Sequence, residues 1–280
     1  MIHHHRQKSI RAFTMVELLV MLVTVAILGC VFVSAAPNLI IEAQDILCLN
    51  GKKQLGAAWH MYADDNVGKL VHNVHGGLAA GGSGGAVSWA AGWLDWTTAT
   101  DNTNVALLVN QKYGMLAPYV RGATNIFKCP ADKYLSAIQK SRGWLQRVRS
   151  VSANIGVGEG NAETGPWASV YKHVKKMPEF LNPAPAETWV FLDEHPDSIN
   201  DPAFFSPIQT DWIDLPAIYH NDGTAFAFAD SHAEIHKWNG SLTKVRLKYS
   251  GPFSGFPALA EDPDIHWLSY HAARVSTNSY

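Results

Sequence analysis

Residues 18–36 run for nineteen positions without a charge, directly behind a lone carboxylate, Glu17. At about 1.5 Å per residue such a run nearly covers a hydrocarbon core of about 30 Å, so a membrane-crossing helix is the first expectation. The segment before it holds Arg6, Lys8 and Arg11 and no acid, a composition that keeps an N-terminus cytoplasmic. His3, His4 and His5 continue without a linker into that basic segment and read as native rather than as a tag. Glu17 constrains the reading further, because an uncompensated carboxylate deep in a bilayer costs about 2.5 kcal/mol or more and needs a cationic partner.

The residues Ala12-Phe13-Thr14-Met15-Val16-Glu17-Leu18-Leu19-Val20 resemble the cleavage and methylation motif of type IV prepilins and type II secretion pseudopilins. The resemblance implies cutting between Ala12 and Phe13 by a prepilin peptidase, N-methylation of Phe13, and pairing of Glu17 with the amine of a neighbouring subunit. Burial of the carboxylate is then offset by assembly, and the pair fixes the stagger between helices. The family places Gly before the cut; this chain has Ala12, the smallest replacement with a side chain, for which slow cleavage is expected. Two rival readings of the segment are a signal peptide ending at Ser34-Ala35-Ala36 and a lipoprotein box, Ile27-Leu28-Gly29-Cys30. Each leaves Glu17 without a role, and Pro37 directly after the first cut is unfavourable to a signal peptidase.

After Pro37, expected to kink the helix rather than end it, the sequence becomes amphipathic. Leu39, Ala43, Ile46, Asn50, Lys53, Ala57 and His60 follow one stripe, and Leu47, Leu55, Ala58, Trp59 and Tyr62 supply an apolar face. Residues 50–66 resemble the corresponding segment of large pseudopilin-like proteins of planctomycetes and verrucomicrobia. So do Cys129-Pro130-Ala131-Asp132 and the spacing of nine residues between His220 and Asp230, where that family has a His, nine residues, Asp-Gly motif and this chain has Ser231 in place of the Gly.

The remainder reads as a turn-rich, aromatic-packed body: ten Trp, 22 Gly and 14 Pro against 16% charged residues. A net charge of −2 gives no electrostatic footprint for nucleic acid. The Gly-rich stretch 76–85 lacks the context and Lys of a phosphate loop and reads as a surface loop. Trp89, Trp93 and Trp96 are expected in the core, with an aromatic sugar-binding strip as the alternative. Residues 107–120 read as a helix stopped near Pro118, residues 188–192 as a strand, and residues 224–229 as a half-buried strand returning through a turn at Asp230-Ser231 into 232–238.

Three groups of residues carry candidate chemistry. Cys48 and Cys129, the cysteines of the expected soluble part, are either two buried thiols or a disulfide worth about 2–4 kcal/mol. Asp193, Glu194 and Asp197 sit in the most acidic stretch, where they are solvated turn formers or weak Ca²⁺ ligands. His220, Asp230, His232 and His236 have the residue types of a metal site, but no nucleophile or glycine elbow accompanies them, and the main expectation is that His220 and Asp230 pin the hairpin.

The fold expected is α+β. A leader, 1–12, precedes a long helix, 13–66, with a membrane span at about 14–36 and an amphipathic continuation at 37–66; an extracytoplasmic head with an antiparallel sheet, 67–280, follows. The function implied is a non-enzymatic, pilin-like subunit of a type II secretion or type IV pilus-like assembly, anchored in the bacterial inner membrane. Its partners would be the prepilin peptidase and N-methylase and other pilin-like subunits. The alternatives are an anchored carbohydrate- or ligand-binding module and an exported enzyme.

Overall fold

The computed structural model describes residues 13–80, 86–161, 173–205, 211–251, 253–257, 259 and 261–272, without the side chains of 29–38. The chain divides into two compact units, Met1–Ala43 and Gln44–Tyr280. Helix α1, Met15–Asp65, begins in the first and ends in the second.

In the first unit, Thr14 opens α1. Its side-chain oxygen accepts the Glu17 amide at 3.3 Å, and its own amide and hydroxyl both donate to the Glu17 carboxylate at 2.8 Å, a reciprocal cap. The apolar side chains from Met15 to Leu28 are exposed. The membrane-spanning helix expected over 14–36 is not found: among the described residues no helix is long and apolar enough to cross a membrane. Ser34-Ala35-Ala36, Cys30 and Pro37 fall among the undescribed side chains, and the leader, including Ala12, lies outside the described residues.

In the second unit a five-stranded sheet runs in the order β3-β1-β2-β5-β6, with β1 Val151–Asn154, β2 Trp189–Asp193, β3 Ala203–Phe204, β5 Gly223–Phe228 and β6 Ala233–Lys237. Strands β1/β2, β2/β5 and β5/β6 are antiparallel, but β3 lies parallel to β1 (Ala153 opposite Ala203), so the sheet is mixed rather than antiparallel throughout. A separate ribbon pairs β4, Asp211–Trp212, with β7, Phe256–Pro257.

The alternation of Phe and Ala in β5 gives it two buried faces, not the one expected. Ala227 joins Leu55, Ala58 and Trp59 of α1, Phe191 of β2 and Trp89 in one core. Phe226 and Phe228 join Trp189, Trp238 and the helix Pro263–Tyr270 in a second. Successive strand side chains point to opposite faces, so the small residues admit α1 and the large ones fill the other side.

The inner face of α1 is Cys48, Lys52, Leu55, Trp59 and Tyr62, while Leu47, assigned above to the apolar face, is exposed. The helix expected over 107–120 is two short ones, Ala106–Val109 and Ala117–Val120, and Pro118 begins the second instead of ending the first. Proline lacks only a donor that the first helical turn leaves unpaired anyway. Of the Gly-rich stretch, Gly76–Ala80 forms a 3₁₀ turn, and 81–85 lie outside the described residues.

The hairpin turn falls at Asp230-Ser231, and Ser231 sits at φ +72°. This is the left-handed region, which costs a residue with a Cβ about 1–2 kcal/mol. Replacing Ser231 with Gly is expected to stabilise the head by about 1 kcal/mol, read as a higher denaturant midpoint at unchanged slope. An unchanged midpoint would show that local hydrogen bonds already compensate the strain.

Candidate functional site

Strand β2 ends in Asp193, fully buried, beside the inner face of α1. Its Oδ1 accepts from the Lys52 ammonium at 2.8 Å and from the Ser150 hydroxyl at 2.8 Å; its Oδ2 accepts from the Cys48 thiol at 3.1 Å. Ser150 also accepts the amide of Cys129 at 2.7 Å, which seats the Cys129 loop on the start of β1. The Cys129 sulfur lies 3.3 Å from Nε2 of His220, in the turn that leads into β5. Nδ1 of His220 meets the Asp45 carboxylate of α1 at 2.6 Å. A carboxylate at Nδ1 fixes that nitrogen as the N–H donor and turns the Nε2 lone pair toward the sulfur.

Cys48, Cys129, Asp193 and His220 are all buried, and their ligand atoms lie within 4.8 Å of one another. This buried Cys/Asp/His cluster therefore has the donors and the proximity to hold a metal ion. Of the two alternatives for Cys48 and Cys129, the structure shows two buried free thiols, brought close together.

The electrostatics set the two sulfurs apart. Cys48 is pushed well above the ordinary thiol range by its contact with Cys129, by burial and by Asp193. Burial also opposes ionisation of Cys129, but the neighbouring Cys48 and His220 bring its thiol down to about 7. At Lys52, burial opposes the charge, and Asp193 with Cys48 outweighs it, so the ammonium titrates above its usual range. His220 is likewise raised: desolvation is outweighed by Cys129, Asp193 and Asp45.

The other expected residues do not join this cluster. Asp230 accepts from the His232 amide at 3.0 Å and pairs with its Nδ1 at 2.6 Å, within the hairpin turn. His236 stacks on Trp267 at 3.6 Å. Thus His220 and Asp230 do not act together: the His220 side chain serves α1 and Cys129, and only its backbone touches the hairpin, through Gly223 and Lys237.

The Ca²⁺ reading of Asp193, Glu194 and Asp197 fails on direction. Asp193 faces the cluster, Glu194 binds the Ser198 hydroxyl at 2.7 Å, and Asp197 binds Trp96 at 2.8 Å and the Lys248 amide at 2.6 Å. Burial, then Asp214, also pushes the Glu194 carboxyl well above the carboxylate range. Phe13 is exposed, and the hydrogen bonds of the Glu17 carboxylate run to Thr14.

Lys52 and Asp45 escaped the sequence reading. A lysine amid the apolar residues of a helix was the available signal, since a buried ammonium needs a carboxylate. No family model, no curated protein and no solved structure matches this chain.

Proposed function

We propose that this chain is a pilin-like structural subunit that assembles through its N-terminal helix. The observation that supports this most is the exposed apolar surface of α1 from Met15 to Leu28, carrying one carboxylate, Glu17, four residues from Phe13. A helix apolar on all sides calls for a covering, and apolar helices of neighbouring subunits supply one of the same kind. Glu17 gives such packing a register: cleavage before Phe13 frees an amine on the same turn, and the amine of one helix neutralises the Glu17 of the next. The Thr14 cap holds the carboxylate close to that N-terminus.

The test is intact mass and N-terminal sequencing of the full chain co-expressed with a prepilin peptidase, followed by cross-linking of the purified product. The expected product begins at methylated Phe13 and cross-links into ladders. Glu17→Ala should be cleaved at the same place yet lose assembly about tenfold or more, because one member of a buried pair is gone. A chain beginning at Cys30 or Pro37, or ladders indifferent to Glu17→Ala, would sink the proposal.

A further inference from the structure

We infer that Cys48, Cys129, Asp193 and His220 form a tetrahedral Zn²⁺ site that ties helix α1 to the sheet, independently of how the N-terminal helix assembles. Two sulfurs, one imidazole and one carboxylate are a donor set for a borderline-soft divalent ion; calcium and magnesium require oxygens. Zinc bonds of about 2.3 Å to sulfur and 2.0–2.1 Å to nitrogen or oxygen place tetrahedral ligand atoms about 3.3–3.8 Å apart. Here Cys48 Sγ to Asp193 Oδ2 is 3.1 Å, Cys129 Sγ to His220 Nε2 is 3.3 Å, and every pair is within 4.8 Å. Shifts of about an ångström at the thiols complete the geometry.

The residues behind the donors make the stronger case. Asp45 holds the far nitrogen of His220, so Nε2 is aimed inward, as an outer-shell carboxylate does for a ligating imidazole. Lys52 and Ser150 both occupy Oδ1 of Asp193, leaving Oδ2 to the cluster. Charge closes as well: two thiolates and a carboxylate exceed a divalent cation by one negative charge, which the buried Lys52 ammonium cancels. Binding deprotonates the two thiols and releases their protons to solvent, with no change of oxidation state. A cavity of about 480 Å³ lined by Asn50, Gly51, Lys128 and Cys129 lies beside the cluster.

The competing fate of the same atoms is a Cys48–Cys129 disulfide, which requires a two-electron oxidant and removes both sulfur ligands. The full chain in detergent, reduced and stripped with chelator, should take up one equivalent of Zn²⁺ and lose two reactive thiols. Its Co²⁺ form should show thiolate charge-transfer absorption. Cys129→Ser should abolish that absorption. The double variant Cys48→Ser/Cys129→Ser, which keeps side-chain volume, should remain folded by circular dichroism with a melting temperature indifferent to chelator, whereas chelator lowers that of the native chain. Asp230→Ala should bind as the native chain does. A reduced, folded protein that takes up less than about a tenth of an equivalent overturns the inference, as does Co²⁺ absorption that survives loss of both cysteines.

Discussion

A Lys52→Met variant is expected to lose about 3–5 kcal/mol of head stability, measured by denaturant unfolding in the presence of chelator and reductant. Methionine matches the length of the lysine stem and keeps its packing, so the loss isolates the charge. The ammonium is buried at the end of β2, 2.8 Å from Asp193, and with it gone a buried carboxylate retains only the Ser150 hydroxyl and the Cys48 thiol as donors. Neither cancels its charge. The double variant Lys52→Met/Asp193→Asn removes both charges and leaves an acceptor for Ser150, so it should recover more than half of the loss. A single-variant loss below about 1 kcal/mol, or no recovery in the double, would show that the ion pair is not what fixes α1 at this point.

Trp89→Ala should cost a comparable 3–5 kcal/mol. The indole is fully buried, stacks on Phe127 with ring centres 6.0 Å apart, meets Phe191 of β2 edge-on at 5.0 Å and donates to the Pro202 carbonyl at 3.1 Å. It therefore braces its own segment, the central strand and the segment that carries Cys129. Truncation should also raise the reaction rate of the Cys129 thiol with a soluble disulfide, because Phe127 loses the surface that holds its loop down. Trp89→Phe keeps an aromatic face and should cost markedly less. Equal losses for the two variants would place the energy in the Pro202 hydrogen bond instead of the packing.

Strand β2, strand β5 and the turn at Asp230-Ser231 were legible from local pattern, because runs of β-branched and aromatic residues with turn formers between them need no distant partner to be recognised. The mixed sheet was not, since β3 is two residues long and is defined by its pairing with β1. The inner face of α1 was half legible. Leu55, Ala58, Trp59 and Tyr62 follow the helical period, but Lys52 belongs to that face on account of a carboxylate 141 positions later in the chain (193 minus 52). Cys48, Cys129, Asp193 and His220 were each singled out for separate reasons, the first two as a pair, the third as a calcium ligand and the fourth as part of a motif. Their meeting depends on four segments that only tertiary packing brings together.

Those separations also set the order in which the head is built. The first donor, Cys48, lies 172 residues before the last, His220 (220 minus 48), and closing a loop of that length carries an entropy cost of about 4–5 kcal/mol before any contact across it is made. Local pieces such as the β5–β6 hairpin, closed by a turn of four residues, form in microseconds by comparison. The inner stripe of α1, synthesised before the strands it packs on, therefore has no surface to bury against until β2 and β5 have been made and docked, and throughout that interval its Cys48, Leu55 and Trp59 side chains stand open to solvent, to oxidants and to other unfinished chains.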